Sequence, residues 1–263
     1  MFLLKTSLLL LATLSILSNL TAEYHSSSYQ VQNAKSTTQA ADYCKTDQSA
    51  SRYLAYRDIP VLIERFVQGK KALDYGAGTG ISAAFLQKLG FNVTGVDISP
   101  EMLKQANTQC PSASFHLIQN NTIPFEEGIY DLVFSGWVLF ELGTENEIVT
   151  YLKEAKRVMK PQGIFIAVTG SEQMFSKDWL IYGTDYPENC SPKSGGLCKV
   201  YSRDVAIEFT DYYWTETDYR RLFEQASFQL IEVYYPLGKE GEGYVWRDEK
   251  TNSPYVIFIA KPI

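Results

Sequence analysis

The sequence has few of the side chains that usually bind metal ions. Its 263 residues include only two histidines and four cysteines. The histidines, His25 and His116, lie far apart, and no two cysteines form a C-x-x-C pair. Structural zinc sites take their ligands from closely spaced cysteines and histidines. We therefore expect no metal site in this chain.

Two of the cysteines nevertheless lie close together in the sequence. Cys190 and Cys198 enclose the segment Ser-Pro-Lys-Ser-Gly-Gly-Leu. Its proline and glycines indicate a turn that could bring the two thiols together. Both a disulfide and a pair of thiols in a surface loop fit this pattern.

Clusters of lysine and arginine are also absent. The formal net charge is −6, and no stretch of the chain concentrates its basic residues. A nucleic-acid substrate would require a basic surface against its phosphates, so we expect no nucleic-acid partner. The content of 45% hydrophobic and 21% charged residues is typical of a globular protein, and the length suits one large domain.

Long hydrophobic runs are scarce, and the clearest one lies at the N-terminus. Lys5 precedes an apolar stretch of about a dozen residues, whereas a membrane-spanning helix needs about 20. This pattern predicts a secretory signal peptide over residues 1–22, cleaved after Ala22, and hence an exported, periplasmic or secreted protein. Leu20 is large for its position before the cleavage site, so an uncleaved membrane anchor is the alternative. Residues 23–50, rich in Ser, Thr, Gln and Asn, are predicted to be a linker or flexible cap.

The most informative stretch is Lys-Ala-Leu-Asp-Tyr-Gly-Ala-Gly-Thr-Gly, residues 71–80. It predicts a short buried strand, a glycine turn in which the backbone can lie against a ligand, and a helix. A second strand begins at Asn92 and ends in Asp97, an acid placed to bind both hydroxyls of a ribose. The spacing G-x-G-x-G differs from the dinucleotide fingerprint G-x-G-x-x-G, which disfavours a dehydrogenase. Asp74, two residues before the first glycine, suits a positively charged ligand.

With an acid, one residue and then G-x-G-x-G, the motif resembles that of the class I methyltransferases that use S-adenosyl-L-methionine (SAM). The segment from Tyr130 to Ser135 also resembles the fourth strand of that family. The resemblance implies SAM as the cofactor and methyl transfer to a small organic acceptor by in-line displacement. A SAM-binding sensor or scaffold protein without catalysis is the alternative, because its cofactor motifs would look the same.

The fold implied is α/β, a doubly wound, Rossmann-like sheet of seven strands in the order 3-2-1-4-5-7-6. The last strand is antiparallel, and helices cover both faces to give three layers. We assign residues 51–263 to the methyltransferase domain, with a SAM-binding core at 70–170 and an acceptor or lid insertion at 171–214. A single helix is predicted from Ser51 to Phe66. It would place Tyr53 or Arg57 near the SAM carboxylate.

The resemblance also implies which residues contact the cofactor. The family has an acid where Gln119 stands, and an amide oxygen could accept the same hydrogen bond from adenine. The complete set is Asp74, Gly76, Ala77, Gly78, Gly80, Asp97, Ile98, Met102, Gln119, Asn120 and Ser135.

No residue stands out as a catalytic base. Glu141 follows the fourth strand, where many family members carry histidines, and Tyr213 lies in an aromatic-rich segment after the fifth strand. Both are candidates for contact with the acceptor. We also expect Tyr213 and Trp214 to line an aromatic lid, although packing in the hydrophobic core is the alternative for such residues.

Overall fold

The computed structural model describes residues 49–263. The predicted signal peptide at 1–22 and nearly all of the linker at 23–50 lie outside this range. Within it, no helix is long and apolar enough to cross a membrane.

A seven-stranded sheet forms the centre of the domain. Its strands are β1 (Lys71–Tyr75), β2 (Asn92–Asp97), β3 (Ser114–Leu117), β4 (Tyr130–Gly136), β5 (Met159–Gly170), β9 (Phe228–Tyr234) and β10 (Tyr255–Pro262). They lie in the order β3-β2-β1-β4-β5-β10-β9, which is the order predicted from the sequence once three strands of a separate sheet are set aside. Strands β1 to β5 are parallel, and β10 is antiparallel to both of its neighbours.

Helices cover both faces of the sheet. They are α1 (Ser51–Arg57), α2 (Ile59–Phe66), α3 (Ile81–Lys88), α4 (Pro100–Gln109), α5 (Glu145–Val158) and α6 (Glu216–Gln225). Successive strand residues point to opposite faces. Ala72 therefore joins the core under α1, α2 and α3, while Leu73 joins the core under α5 and α6. The predicted three-layer architecture is confirmed.

The predicted helix from Ser51 to Phe66 is two helices in the structure, joined at Asp58. Pro60 lies in the first turn of α2. Proline has no backbone N–H and its ring clashes with the carbonyl four residues earlier, here that of Tyr56, so a continuous helix is disfavoured. The prediction missed this break because it followed the apolar periodicity alone.

The segment after β5 contains a second sheet that the sequence analysis did not predict. Its antiparallel strands are β6 (Tyr182–Gly183), β7 (Leu197–Ser202) and β8 (Ile207–Tyr212), in the order β6-β7-β8. Cys190 and Cys198 are both thiols in this structure, the first exposed and the second buried. After the sheet, a capping box begins α6: the Thr215 hydroxyl accepts from the Asp218 amide, and the Asp218 carboxylate accepts from the Thr215 amide.

Candidate active site

The glycine loop after β1 lies against the end of β2. The amides of Gly76 and Ala77 both donate to the carbonyl of Val96, at 2.9 Å. Gly76 has φ of +83°, and a Cβ built on it would lie 2.2 Å from Val138 Cγ2. Only glycine fits that position. A Cβ on Gly78 would meet nothing within 4 Å, so the space in front of the loop is open there.

Asp97, at the carboxyl end of β2, faces this loop. Its Oδ2 accepts a hydrogen bond from the Gly78 amide at 2.8 Å, and its Oδ1 accepts one from the Ser99 amide at 2.9 Å. Burial raises the pKa of this carboxyl, while the surrounding amides act in the opposite direction. Each carboxylate oxygen has a second lone pair, so Asp97 retains the capacity to accept from a ligand.

Asp74 lies behind the loop and is fully buried. Ser82 Oγ donates to its Oδ2 at 2.6 Å, and its Oδ1 has no hydrogen-bond partner among the described residues. Burial, with a smaller effect of the Asp97 charge, raises the pKa of Asp74 to about 7. An unsatisfied buried carboxylate oxygen is rare, and it is consistent with a site that receives a cation.

A single cavity of about 270 Å³ opens in front of the loop and Asp97. Six of the predicted cofactor residues line it: Gly76, Ala77, Gly78, Asp97, Ile98 and Met102. The cavity continues past the end of β4 to Trp137, Phe140 and Glu141, and ends against the small sheet of the insertion. Several further residues line the cavity that were not predicted from the sequence: Tyr75, Thr79, Ile81, Ser82, Ile118, Val138, Leu142 and Tyr151.

Five predicted cofactor residues do not line the cavity. Asp74 lies behind the loop, and Gly80 is the N-cap residue just before α3, where a Cβ would lie 3.0 Å from Ala106 Cα. Ser135 hydrogen-bonds through its hydroxyl to Tyr151, at 2.8 Å. Gln119 and Asn120 are the other two, and both belong to the turn after β3.

That turn explains why Asn121 lines the cavity instead. Gln119 and Thr122 pair as an isolated bridge, and Asn120 and Asn121 between them have φ of 51° and 55°. Two central residues with positive φ define a type I′ turn, which asparagine tolerates well. The carbonyl of Asn121 also accepts a hydrogen bond from the Tyr75 hydroxyl at 3.1 Å. The Asn-Asn pair was the sequence signal for this geometry.

Trp137 follows β4 in an unusual backbone conformation. Its φ is +67°, in the left-handed region that residues other than glycine rarely adopt. Its amide still donates to Val168 at 2.9 Å, and its ring meets Tyr255 edge-on at 4.7 Å between centroids. Strained backbone of this kind is concentrated at functional sites, where it places a side chain that a regular strand could not.

Helix α1 contributes Arg52 and Tyr56 to the cavity, not the predicted Tyr53 and Arg57. Residues four apart share a helix face, so each pair belongs to one face. The face of Arg57 meets the loop before β10, where its guanidinium pairs with Glu242 at 2.7 Å. Arg52 is held by an ion pair with Asp204. The helix lies over the cavity as expected, but the residues that face the cavity come one position earlier in the sequence than predicted.

The predicted lid residues Tyr213 and Trp214 do not line the cavity. Trp214 is 5% exposed and donates through Nε1 to the Leu142 carbonyl at 2.9 Å, so its packing is that of a core residue. Tyr213 packs against Phe175 instead. The residues of the insertion that do line the cavity are Met174, Tyr182, Val200, Phe209 and Asp211.

Known proteins resemble this chain in sequence and in fold. Residues 73–167 match the family described as Methyltransferase domain. The chain is 35% identical over 170 residues to an uncharacterized methyltransferase of Synechocystis sp., covering 65% of this chain and 72% of that protein. This chain belongs to the class I SAM-dependent methyltransferases, and its cofactor is SAM.

Further relatives extend this comparison. A demethylmenaquinone methyltransferase of Chlorobaculum parvum is 29% identical over 170 residues, which is 62% of this chain and 68% of that one. The crystal structure of a SAM-dependent methyltransferase from Clostridium acetobutylicum covers 88% of this chain and 98% of its own length, with a TM-score of 0.57 and 16% identity. At that identity, the structural likeness supports the fold alone.

The steric role of Gly76 in this methyltransferase can be tested by substitution. Gly76→Ala should destabilise the fold by roughly 2–4 kcal/mol, because it combines overpacking against Val138 with an unfavourable φ. Gly78→Ala is the matched control, since it has the same kind of φ without the clash. Adding Val138→Ala should restore part of the loss in Gly76→Ala and none in Gly78→Ala. Chemical denaturation measures all four proteins, and equal loss in both single variants would contradict the steric account.

The raised pKa of Asp74 predicts a pH dependence of stability. Its pKa is about 7 in the folded chain and near 3.8 when unfolded, so between these values the folded state binds more protons. Stability from this group is therefore full below about pH 4 and falls as the pH rises to 7, by roughly 2–4 kcal/mol. Comparing denaturation curves of the wild type and Asp74→Asn isolates this contribution. A difference between the two that does not change from pH 4 to 7 would contradict it.

Proposed function

We propose that this methyltransferase transfers the methyl group of SAM to a small organic acceptor by in-line displacement. The observation that supports this most is the continuity of one cavity. It begins at the glycine loop and Asp97 and ends in an apolar chamber of Trp137, Phe140 and Phe209. Such a chamber, with a few polar groups at its edge, is typical of small-molecule sites.

The first half of the cavity has the chemistry that SAM requires. Asp97 can accept from both ribose hydroxyls, as acids at the end of the second strand do in this class of sheet. Ile98, Met102 and Ile118 supply an apolar surface for the adenine, and Asn121 supplies polar groups near its edge. Asp74, behind the loop, offers its unpaired Oδ1 to the cationic part of the cofactor.

When bound, SAM supplies a methyl group that its sulfonium has already activated. The chain's own contribution is then to hold the acceptor in line, to exclude water and to take up a proton where the acceptor has one to lose. Positioning alone can lower a barrier by roughly 7–11 kcal/mol. Glu141 and Asp211 are the carboxylates beside the acceptor half of the cavity, and they are our candidates for proton uptake.

Turnover separates this proposal from a SAM-binding sensor or scaffold. Purified protein incubated with SAM and pools of small amines, phenols, quinols and carboxylic acids should release S-adenosylhomocysteine in an acceptor-dependent way. The same mixtures without the protein report background release. If the protein bound SAM tightly and no pool gave release above that background, the result would favour a SAM-binding sensor and contradict the proposed methyl transfer.

A further inference from the structure

The acceptor half of the cavity brings two carboxylates to one end. Asp211 is on β8 and is 5% exposed, while Glu141 is in the short 3-10 helix after β4. The segments that carry them are joined: Trp214 Nε1 donates to the Leu142 carbonyl, and the Tyr212 ring lies against Gly143, 2.6 Å from where a Cβ would be. Both carboxylates therefore line the cavity at the same junction.

The rest of this half is built from aromatic and thioether side chains. Trp137, Phe140, Tyr182, Phe209 and Met174 line it. Aromatic rings attract cations through their negative faces, and the attraction strengthens where water is excluded. A neutral apolar acceptor would need only the rings. The two carboxylates in an otherwise apolar chamber add a preference for positive charge.

The arginine of this half does not reverse that preference. Arg52 lines the cavity, but its guanidinium is paired with Asp204, which in turn accepts from Ser202 Oγ at 2.6 Å. Arg52 and Asp204 together contribute no net charge, whereas Glu141 and Asp211 contribute two negative charges. Both of these carboxylates also interact with other parts of the chain.

The negative potential of Asp211 is already felt by its neighbour across the strands. Cys198 pairs with Asp211 in the β7–β8 register. Burial raises the pKa of the Cys198 thiol to about 11, and the Asp211 charge adds to this effect. Because the Asp211 charge disfavours a second negative charge nearby, we expect it to favour a positive one.

We propose that the acceptor is an arylalkylamine, bound as its ammonium ion beside Asp211 and Glu141 and methylated on nitrogen; this rests on the proposed methyltransferase function. The ammonium gives one proton to a carboxylate, from which it passes to water. The freed nitrogen lone pair then forms the bond to the methyl carbon, and the electron pair of the carbon–sulfur bond remains on sulfur. The products are a methylated ammonium and S-adenosylhomocysteine.

Skeleton-matched probes test the proposal without knowledge of the physiological acceptor. Tryptamine, tryptophol and indole-3-acetate share one ring and differ in charge, as do phenethylamine, 2-phenylethanol and phenylacetate. Their binding to the protein loaded with S-adenosylhomocysteine is measured by calorimetry. We expect each amine to bind at least tenfold more tightly than its alcohol, and the acid to bind most weakly.

Variants then assign the preference to the two carboxylates. Asp211→Asn and Glu141→Gln should each reduce the preference for the amine over the alcohol at least threefold while leaving the affinity for S-adenosylhomocysteine unchanged. Glu208→Gln is the matched control. It removes a negative charge from the same strand at an exposed position, where Glu208 pairs with Lys199 at 3.3 Å, and should change nothing.

The outcomes distinguish this inference from the proposed function. Equal binding of amine and alcohol, tighter binding of the acid, or variants that keep the full preference would each overturn the amine inference. Methyl transfer to a phenol, quinol or carboxylate in preference to amines would overturn it too and leave the methyltransferase function standing. If no acceptor pool increased the release of S-adenosylhomocysteine, that result would instead contradict the proposed function.

Discussion

Replacing Asp97 by asparagine should weaken SAM binding by roughly 10- to 150-fold, equivalent to about 1.5–3 kcal/mol. Asp97 is the only carboxylate among the described residues that lines the glycine-loop end of the cavity. Hydrogen bonds from ribose hydroxyls to a carboxylate are charge-assisted, and a neutral amide loses that contribution. Asparagine keeps the size of the side chain and one oxygen for the amides of Gly78 or Ser99.

Calorimetric titration with SAM and with S-adenosylhomocysteine measures this effect. Both ligands carry the ribose, so both affinities should fall by a similar factor. Asp185→Asn, which makes the same change at an exposed loop position, serves as the control. Unaltered affinity in Asp97→Asn, with the control also unaltered, would remove Asp97 from the site.

The cofactor half of the site was largely predictable because local sequence determines it. The strand, the glycine turn and the helix of residues 71–88 are contiguous, and the position of Asp97 follows from one more strand. Each feature depends on short-range steric limits, such as the positive φ of Gly76 and Gly78. The same reasoning missed Asn121 as a cavity-lining residue, because the prediction chose the residues nearest the strand end without considering the turn type.

The half of the cavity that we propose for the acceptor was less predictable, because tertiary packing determines it. The rotation of α1, which exchanges Arg57 for Arg52 in the cavity, depends on contacts such as that of Arg57 with Glu242, 185 residues away. The strand that contributes Phe209 and Asp211, β8, belongs to a segment without a clear pattern in the sequence. Its pairing with β7 gives each side chain its face, and a shift of one residue would exchange the two faces.

The tryptophans show most clearly how core and cavity differ in this region. Trp214 is buried against the core that includes Tyr219 and Leu142, and its indole N–H satisfies the Leu142 carbonyl. Trp214→Ala should therefore destabilise the fold by roughly 3–5 kcal/mol, through a large cavity and an unpaired carbonyl. For a domain of this size, that corresponds to a fall in melting temperature of roughly 6–20 °C. Any loss of methyl transfer should follow the folded fraction.

Trp137→Phe provides the contrast, because this ring lines the cavity and is only partly buried. A smaller aromatic at the same backbone position keeps the contact with Tyr255 but enlarges the acceptor chamber, so positioning of the acceptor should suffer before stability does. We expect the KM for the acceptor to rise by roughly 10-fold or more, as loss of about 1.4 kcal/mol of binding implies, with the melting temperature within a few degrees of wild type. Differential scanning calorimetry and initial rates on the same preparations compare the two variants. If Trp214→Ala stays as stable as the wild type while its acceptor KM rises, then Trp214 contacts the acceptor and its assignment to the core is wrong.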